Sequence, residues 1–530
     1  MQKHSEKLLC SSGASKFKFK IIFLVIIFCG FFGLSAKASA ATYYVKNGGN
    51  DSLSGLDDAN AWETIDKVSS SATSGDTVYF RSQDTWTGAD PVLNCTEGVI
   101  YDGATYGSGT RAKLQATSRV AGYGVVQIYT SNVTFRGFLV DSNELSLGGV
   151  YIGGTSPTPS GDITDITVDY CEIINGITTD SPNPSYYYAI LVGARGSHTT
   201  SNVTVTNNIV HEAGHEGIAV YPNWGVAGNR VNMALVRGNT VYDVGQAGGS
   251  THPIDIGNDS DNITIEYNTV SGSAIAVLNY GPDYTGPDEY PDNFIIRHNL
   301  MQGTGFSTSG YFDFPHFYGS GAFYGNILID ASIALSGIDY HDKSIKMYNN
   351  TIYSPGSTSM FGCAGIYEGG SNASGIEFRN NIYYCDLAAR CFYDYGAQLT
   401  TSQHTNNIYY RPSAGALAWT QNSTYTSANI GDWEPTAQNT DPQFTGGTLP
   451  TGFTGTYGSN MLPNTNYFAT TAGPTINTGA TLGSPFNSSI NSAGLASPFL
   501  RPVGAYDIGA YEYQGADTTA PGAPSGLAVE

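Results

Sequence analysis

Between Tyr188 and His316 the chain gathers titratable side chains as no other stretch does: five of its nine histidines fall from His211 to His316, interleaved with carboxylates and bounded by Tyr-rich loops. Two chemistries suit such a mixture. Removing the C5 proton of a uronate in a β-elimination needs its carboxylate neutralised, a base for that proton and an acid for the leaving oxygen. Arg195, or a Ca2+ ion held by Asp255, Asp259 and Asp313, can neutralise. His252 or His211, tuned by Glu216, can serve as base, and Tyr188 or Tyr221 as acid. Tyr188, His215, Asp313 and His316 are placed to contact a substrate. Hydrolysis of a neutral polymer needs two carboxyls instead. Asp255 and Asp313, two coils apart at roughly 10 Å, suit the ~6.5–9.5 Å separation of inversion; Glu216 with Asp255 on adjacent coils suits retention. A third reading is non-catalytic, with these groups decorating a wet surface of a glycan-binding or structural protein.

These side chains need rigid elements to bring them together, and the sequence supplies a repeat. In SNVTVTNNIVHEAGHEGIAVY, residues 201–221, alternating Val203 and Val205 run into Asn207 and Asn208, then Ile209 and Val210, then a Gly-led strand with Ile218 and Val220. An Asn in the same setting returns at Asn239, Asn268, Asn299, Asn326, Asn350, Asn381 and Asn407. The period, roughly 24 to 31 residues, lies in the solenoid range, and three short strands fit each repeat. Stacked coils lie ~4.8 Å apart, so the Asn residues are expected to form a hydrogen-bonded ladder. Coils start near Ser131, Thr164, Ser201, Asn232, Asp261, Asp292, Gly321, Ser344 and Gly375. Their Gly-led strands include GVYIGG, YAILVGA, GIAVYP, HPIDIG, AIAVLNY and GYFDFPH, with Ile218 and Val220 stacking on Ile254 and Ile256 and further along on Phe312 and Phe314. The outward column then reads Leu191, Ala219, Asp255, Ala276, Asp313. Arg237, Glu266 and Arg297 form a solvated charge ladder just before the Asn column.

Composition agrees with a large all-β protein: 12% aromatic, 13% charged, 65 Gly and 37 Tyr in 530 residues. A net charge of −21 disfavours nucleic acid and anionic membranes as partners. Lys16, Lys18 and Lys20 precede IIFLVIIFCGFFGL and then AKASA, which reads as a bacterial-type signal peptide over residues 1–40, and hence secretion without stable membrane insertion after cleavage. Five cysteines remain beyond it. Cys171 stands where the Asn column begins and is expected to be buried, while the three from Cys363 to Cys391 offer one disulfide between neighbouring coils. Residues 41–130 read as an N-terminal cap and first coils, with a helix from about Trp62 to Val68 covering the open end. Residues 131–410 are the coils proper, 411–515 irregular C-terminal coils and a terminal strand, and 516–530 a linker-like tail of the kind that leads to a fibronectin III-like module.

The opening YYV with GNDSLSG and GDTVYF, the Asn-bearing coils and the closing RPVGAYDIGAYEYQG resemble secreted right-handed parallel β-helix proteins of the pectate-lyase-like superfamily. That resemblance implies export, an N-terminal capping helix and an extracellular polysaccharide partner, with lyase, hydrolase, epimerase and non-catalytic members all within it. The chain departs from the calcium-dependent pectate-lyase pattern in having no Lys from 114 to 342, so a histidine would take the base's place. It also lacks the doubled-Asp strand of polygalacturonases.

Overall fold

The computed structural model describes residues 39–513 except 121, 147, 155–157, 177–187, 223–227, 246–251, 273, 280–290, 304, 311–318, 339–343, 356–361, 370–374, 387, 389, 396–398, 447–467, 469, 471–472, 492–493 and 502–505. Residues 1–38 of the stretch read as a signal peptide, the linker-like tail, Asp313, His316, Phe312 and Phe314 therefore lie outside the described residues. Among the described residues no helix is long and apolar enough to cross a membrane.

The chain winds as a right-handed parallel β-helix, the hand that twisted parallel strands favour. Each coil contributes one strand to each of three long sheets, of 14, 12 and 13 strands. The first sheet takes the alternating strands, such as Thr199–Thr206, whose burial pattern puts Val203 and Val205 inside. The second takes the short strands after the Asn, such as Ile209–Val210. The third takes the Gly-led strands, such as Glu216–Val220. Pairing is parallel throughout the stack, closed at the far end by one antiparallel strand, Ser423–Tyr425 on Ala418–Thr420. Ile218 and Val220 stack on Ile254 and Ile256 as expected, inside one continuous apolar core.

The Asn ladder is present and runs in one direction. Asn208 donates from its backbone N–H and from Nδ2 to Asn239 Oδ1 at 2.9 and 3.0 Å, and its Nδ2 also reaches the Val168 carbonyl at 3.0 Å. The same pattern climbs through Asn268, Asn299, Asn326, Asn350 and Asn381 to Asn407. All eight side chains are buried, so every polar atom must find a partner inside the turn. The residue before each ladder position is left-handed, with φ of 55° at Asn207, 56° at His298 and 58° at Asn380. Asn tolerates that conformation better than most residues, which explains the doubled Asn in the sequence. At the lower end the Cys171 N–H donates to Asn208 Oδ1 at 2.9 Å; Cys171 is buried, and burial pushes its thiol up to about 12. At the upper end Asn407 has no further Asn to meet. Its N–H and Nδ2 go to the two carboxylate oxygens of buried Glu434 at 2.8 and 3.1 Å, an acceptor-only group where only acceptors are needed.

The cap helix spans Ile65–Ser71 rather than starting at Trp62, because Thr64 accepts the Lys67 N–H at 3.1 Å and fixes the start there. Its Val68 enters the core. The pair Cys385–Cys391 forms a disulfide six residues apart, within one coil rather than between neighbours, since Cys385 ends a strand of the second sheet and Cys391 precedes the next strand of the third. Parts of residues 473–511 lie along the outside of the coils: Asn349 and Asn380 donate to the carbonyls of Phe486 and Ala480 at 3.0 and 2.8 Å, and Ala510 N–H donates to Thr351 Oγ1 at 3.0 Å. The charge column also differs from expectation. Arg237, Glu266 and Arg297 are in register, but Glu266 is buried, held by the two guanidiniums at 3.2 and 2.6 Å.

Candidate functional site

Strict alternation from Ile218 would turn Glu216 into the core. The third sheet avoids this because Gly217 takes the inward position at the corner. A Cβ there would sit 2.5 Å from the Pro253 carbonyl oxygen and 2.6 Å from Val241 Cγ1, so this coil has room only for glycine between Glu216 and Ile218. One coil earlier Ala189 occupies the same inward place. The outer face of the sheet thus carries Tyr188 and Glu216 in one register, and Tyr151, Leu191, Ala219 and Asp255 in the next column. Tyr151, Tyr188, Leu191, Ala219 and Tyr221 pack there as an apolar cluster separate from the main core.

Into that cluster the sheet sets two carboxyls, both buried. Burial pushes Glu216 up to about 7, against the pull of a hydrogen bond with the Asp255 carboxyl. Two neighbouring buried carboxyls resist ionising together, because that would place like charges side by side in a dry setting. His215 Nδ1 lies 3.3 Å from Glu216 Oε1, outside hydrogen-bonding geometry. Burial lowers the His215 pKa despite the opposing charge of Asp255, so the imidazole is neutral near pH 7. Tyr188 hydrogen-bonds Tyr221, their rings 5.4 Å apart and edge to face. Its hydroxyl is held well above its usual range by burial and by the Glu216 charge, and so stays protonated.

Of the residues singled out in the sequence, Glu216, Asp255, His215, Tyr188 and Tyr221 meet here. His252 is buried at the register position beside Glu216 and accepts the Gly217 N–H on its carbonyl at 3.1 Å. The ring of His215 also lies beside Glu216, because sequence neighbours across the corner both turn outward. His211 reaches the same corner from the second sheet. It lines a narrow pocket with Tyr188 and Gly214, but its ring is engaged by Glu172 at 3.4 Å and stacks on Tyr242 at 4.9 Å. Arg195 is half-buried in the turn that leaves the Tyr188 strand.

The outward column continues from Asp255 to Ala276 and then to Ser307, not to Asp313. The third-sheet strand of that coil is Gly305–Gly310, and the expected Asp255–Asp313 pair involves a residue outside the described ones. Asp259 stands in the turn toward the first sheet, with a left-handed φ of 54°. Among the described residues no group of three His, Cys, Asp or Glu is arranged to hold a metal ion.

No protein-family model matches the chain, and no curated protein matches it in sequence. Solved structures similar to it include the complex of XylC with xylose (10% identity, 76% of this chain and 87% of that one, TM-score 0.43). Others are the A-module of the Azotobacter vinelandii mannuronan C-5 epimerase AlgE4 (14%, 71% and 94%, TM-score 0.36) and pectate lyase Pel9A (12%, 90% and 98%, TM-score 0.33). At such identities and TM-scores these likenesses assign no activity.

Proposed function

We propose that this is an exported polysaccharide lyase that cleaves a uronate-containing polymer by β-elimination on the outer face of the third sheet. The observation that supports it best is the contact between Glu216 and Asp255. Hydrolysis with two carboxyls needs ~5–5.5 Å between them for retention and ~6.5–9.5 Å for inversion. Carboxyls joined by a hydrogen bond are closer than either, and act as one proton-holding unit.

In this reading protonated Glu216 donates to the substrate carboxylate and so lowers the acidity barrier at C5. A buried imidazole, that of His215 or His252, takes the C5 proton. The Tyr188–Tyr221 pair donates to the leaving glycosidic oxygen as the C4–O bond breaks and the C4–C5 double bond forms. Arg195 at the strand exit can supply further positive charge. A calcium ion bound through Asp255, Asp259 and Asp313 is not needed for these steps and is tested by chelation.

Incubating the mature protein with acidic and neutral polysaccharides tests the proposal, with ultraviolet absorbance of unsaturated uronates and new reducing ends followed together. Both signals support elimination. Reducing ends alone indicate hydrolysis, and neither signal on any polymer returns the fold to a binding or structural role. H215A and H252A, compared in the same assay, separate the two candidate bases.

A further inference from the structure

The outward column that carries Asp255 runs on in register through Ala276, Ser307, Ala334 and Gly365, all small, and then meets Tyr393 and Trp419. Those two rings, both half-buried, stack with centroids 4.9 Å apart and planes within 4°. The Arg390 guanidinium carbon lies 4.9 Å from the Tyr393 centroid and 4.8 Å from that of Trp419. Tyr395, exposed, adds a third ring 6.0 Å from Tyr393.

Arg390 differs from the arginines that sit in ion pairs. Arg136, Arg237, Arg297 and Arg501 each contact a carboxylate, as expected in a chain of net charge −21. Arg390 has aromatic rings for neighbours, no acidic partner and no hydrogen bond among the described residues. A guanidinium fixed by stacking keeps its planar fork of N–H donors for a carboxylate, and partial burial strengthens that attraction.

We infer that Tyr393, Trp419 and Arg390 form a second binding position for an acidic sugar, five coils along the sheet from Asp255. The rings offer apolar surface to the sugar and Arg390 a bidentate contact to its carboxylate. At one coil per ~4.8 Å the separation is roughly 24 Å, so a chain of about six sugars would span both positions. The inference rests on the third sheet being the carbohydrate-binding face, but not on cleavage.

The test is calorimetric binding to the full mature chain carrying E216Q, which keeps the ligand intact. The probes are oligogalacturonates and oligomannuronates of about six units, with cello-oligosaccharides of equal length as neutral controls. R390Q and W419A, added separately, are each expected to weaken binding of the acidic oligomers about ten-fold, close to 1.4 kcal/mol, while R390K and W419F recover part of it. R390Q alters a side chain with no ion pair or hydrogen bond among the described residues, so it stands even if W419A unfolds. Unchanged affinity in R390Q, equal affinity of the parent for neutral chains, or no binding of any acidic oligomer would each overturn the inference. Cleavage by the wild type with unchanged affinity in R390Q removes the second position and leaves the proposed reaction; binding lost in R390Q without cleavage by the wild type does the reverse.

Discussion

Glu216→Gln is the substitution that separates the cost of the site from its use. The Glu216 pKa rises from 4.5 to about 7 on folding, chiefly through burial. A carboxyl raised in this way binds its proton more tightly in the folded chain. Its stabilising contribution is therefore complete below about pH 4.5 and is lost as pH climbs through about 7. The size of that loss is about 3 kcal/mol. Glutamine has the same shape and no charge, and its amide can still donate to Asp255. The E216Q chain should match the wild type near the acid end of the range and exceed it by up to about 3 kcal/mol above pH 8, while losing turnover. Urea unfolding of both proteins across this range, at fixed salt, measures the difference directly. Parallel stability curves would show that Glu216 does not titrate as a buried proton-holder. Full turnover in E216Q would remove it from the chemistry.

Further outcomes follow from the same geometry. Because protonated Glu216 is the donor to the substrate carboxylate, kcat should fall as pH rises through about 7; a rate that keeps rising with pH across that value contradicts the role. Glu434→Ala leaves the Asn407 N–H and the Tyr409 hydroxyl, which donates at 2.8 Å, without acceptors, and leaves Asn407 Nδ2 only the Phe378 carbonyl. At ~1–3 kcal/mol for each buried orphan, a loss of about 3–5 kcal/mol is expected in urea unfolding, and a loss below about 1 kcal/mol would mean that the ladder needs no terminal acceptor. Replacing both Cys385 and Cys391 by Ser opens a loop of six residues' separation, which costs about 2 kcal/mol in the chain-entropy account; turnover should be unaffected, and a changed kcat would tie that corner to the site. Tyr188→Phe removes a hydroxyl that hydrogen-bonds Tyr221 and should lower kcat about 100-fold or more with little change in KM, whereas an unchanged kcat would exclude this pair as the acid.

The coils were legible because two signals coincide in each: an apolar alternation and an Asn that must pair inside a dry turn. Strand starts such as Thr199 and Arg230 lie within a few residues of the coil starts read from the pattern. Where one signal was missing the register slipped. GYFDFPH alternates aromatics as a buried strand does, while the strand of that coil is GFSTSG, Gly305–Gly310, whose polar residues look like a loop. Period-two counting also could not foresee that Gly217 lets two neighbours face opposite sides, or that His215 joins Glu216 at the corner. Glu434 was invisible for a different reason. Its role is set by the directionality of the ladder, a property of the stacked turns that no single repeat contains. The Tyr393, Trp419 and Arg390 cluster likewise assembles residues from separate coils and shows only when the register is known.

Digestion of a polyuronate in heavy-oxygen water, followed by mass spectrometry of the fragments, tests the central claim most directly. Elimination adds no water, so the fragments should carry an unsaturated end and no heavy oxygen, and E216Q should yield none. Heavy oxygen at the newly formed ends would establish hydrolysis and contradict the reading of Glu216 and Asp255 as one proton-holding unit.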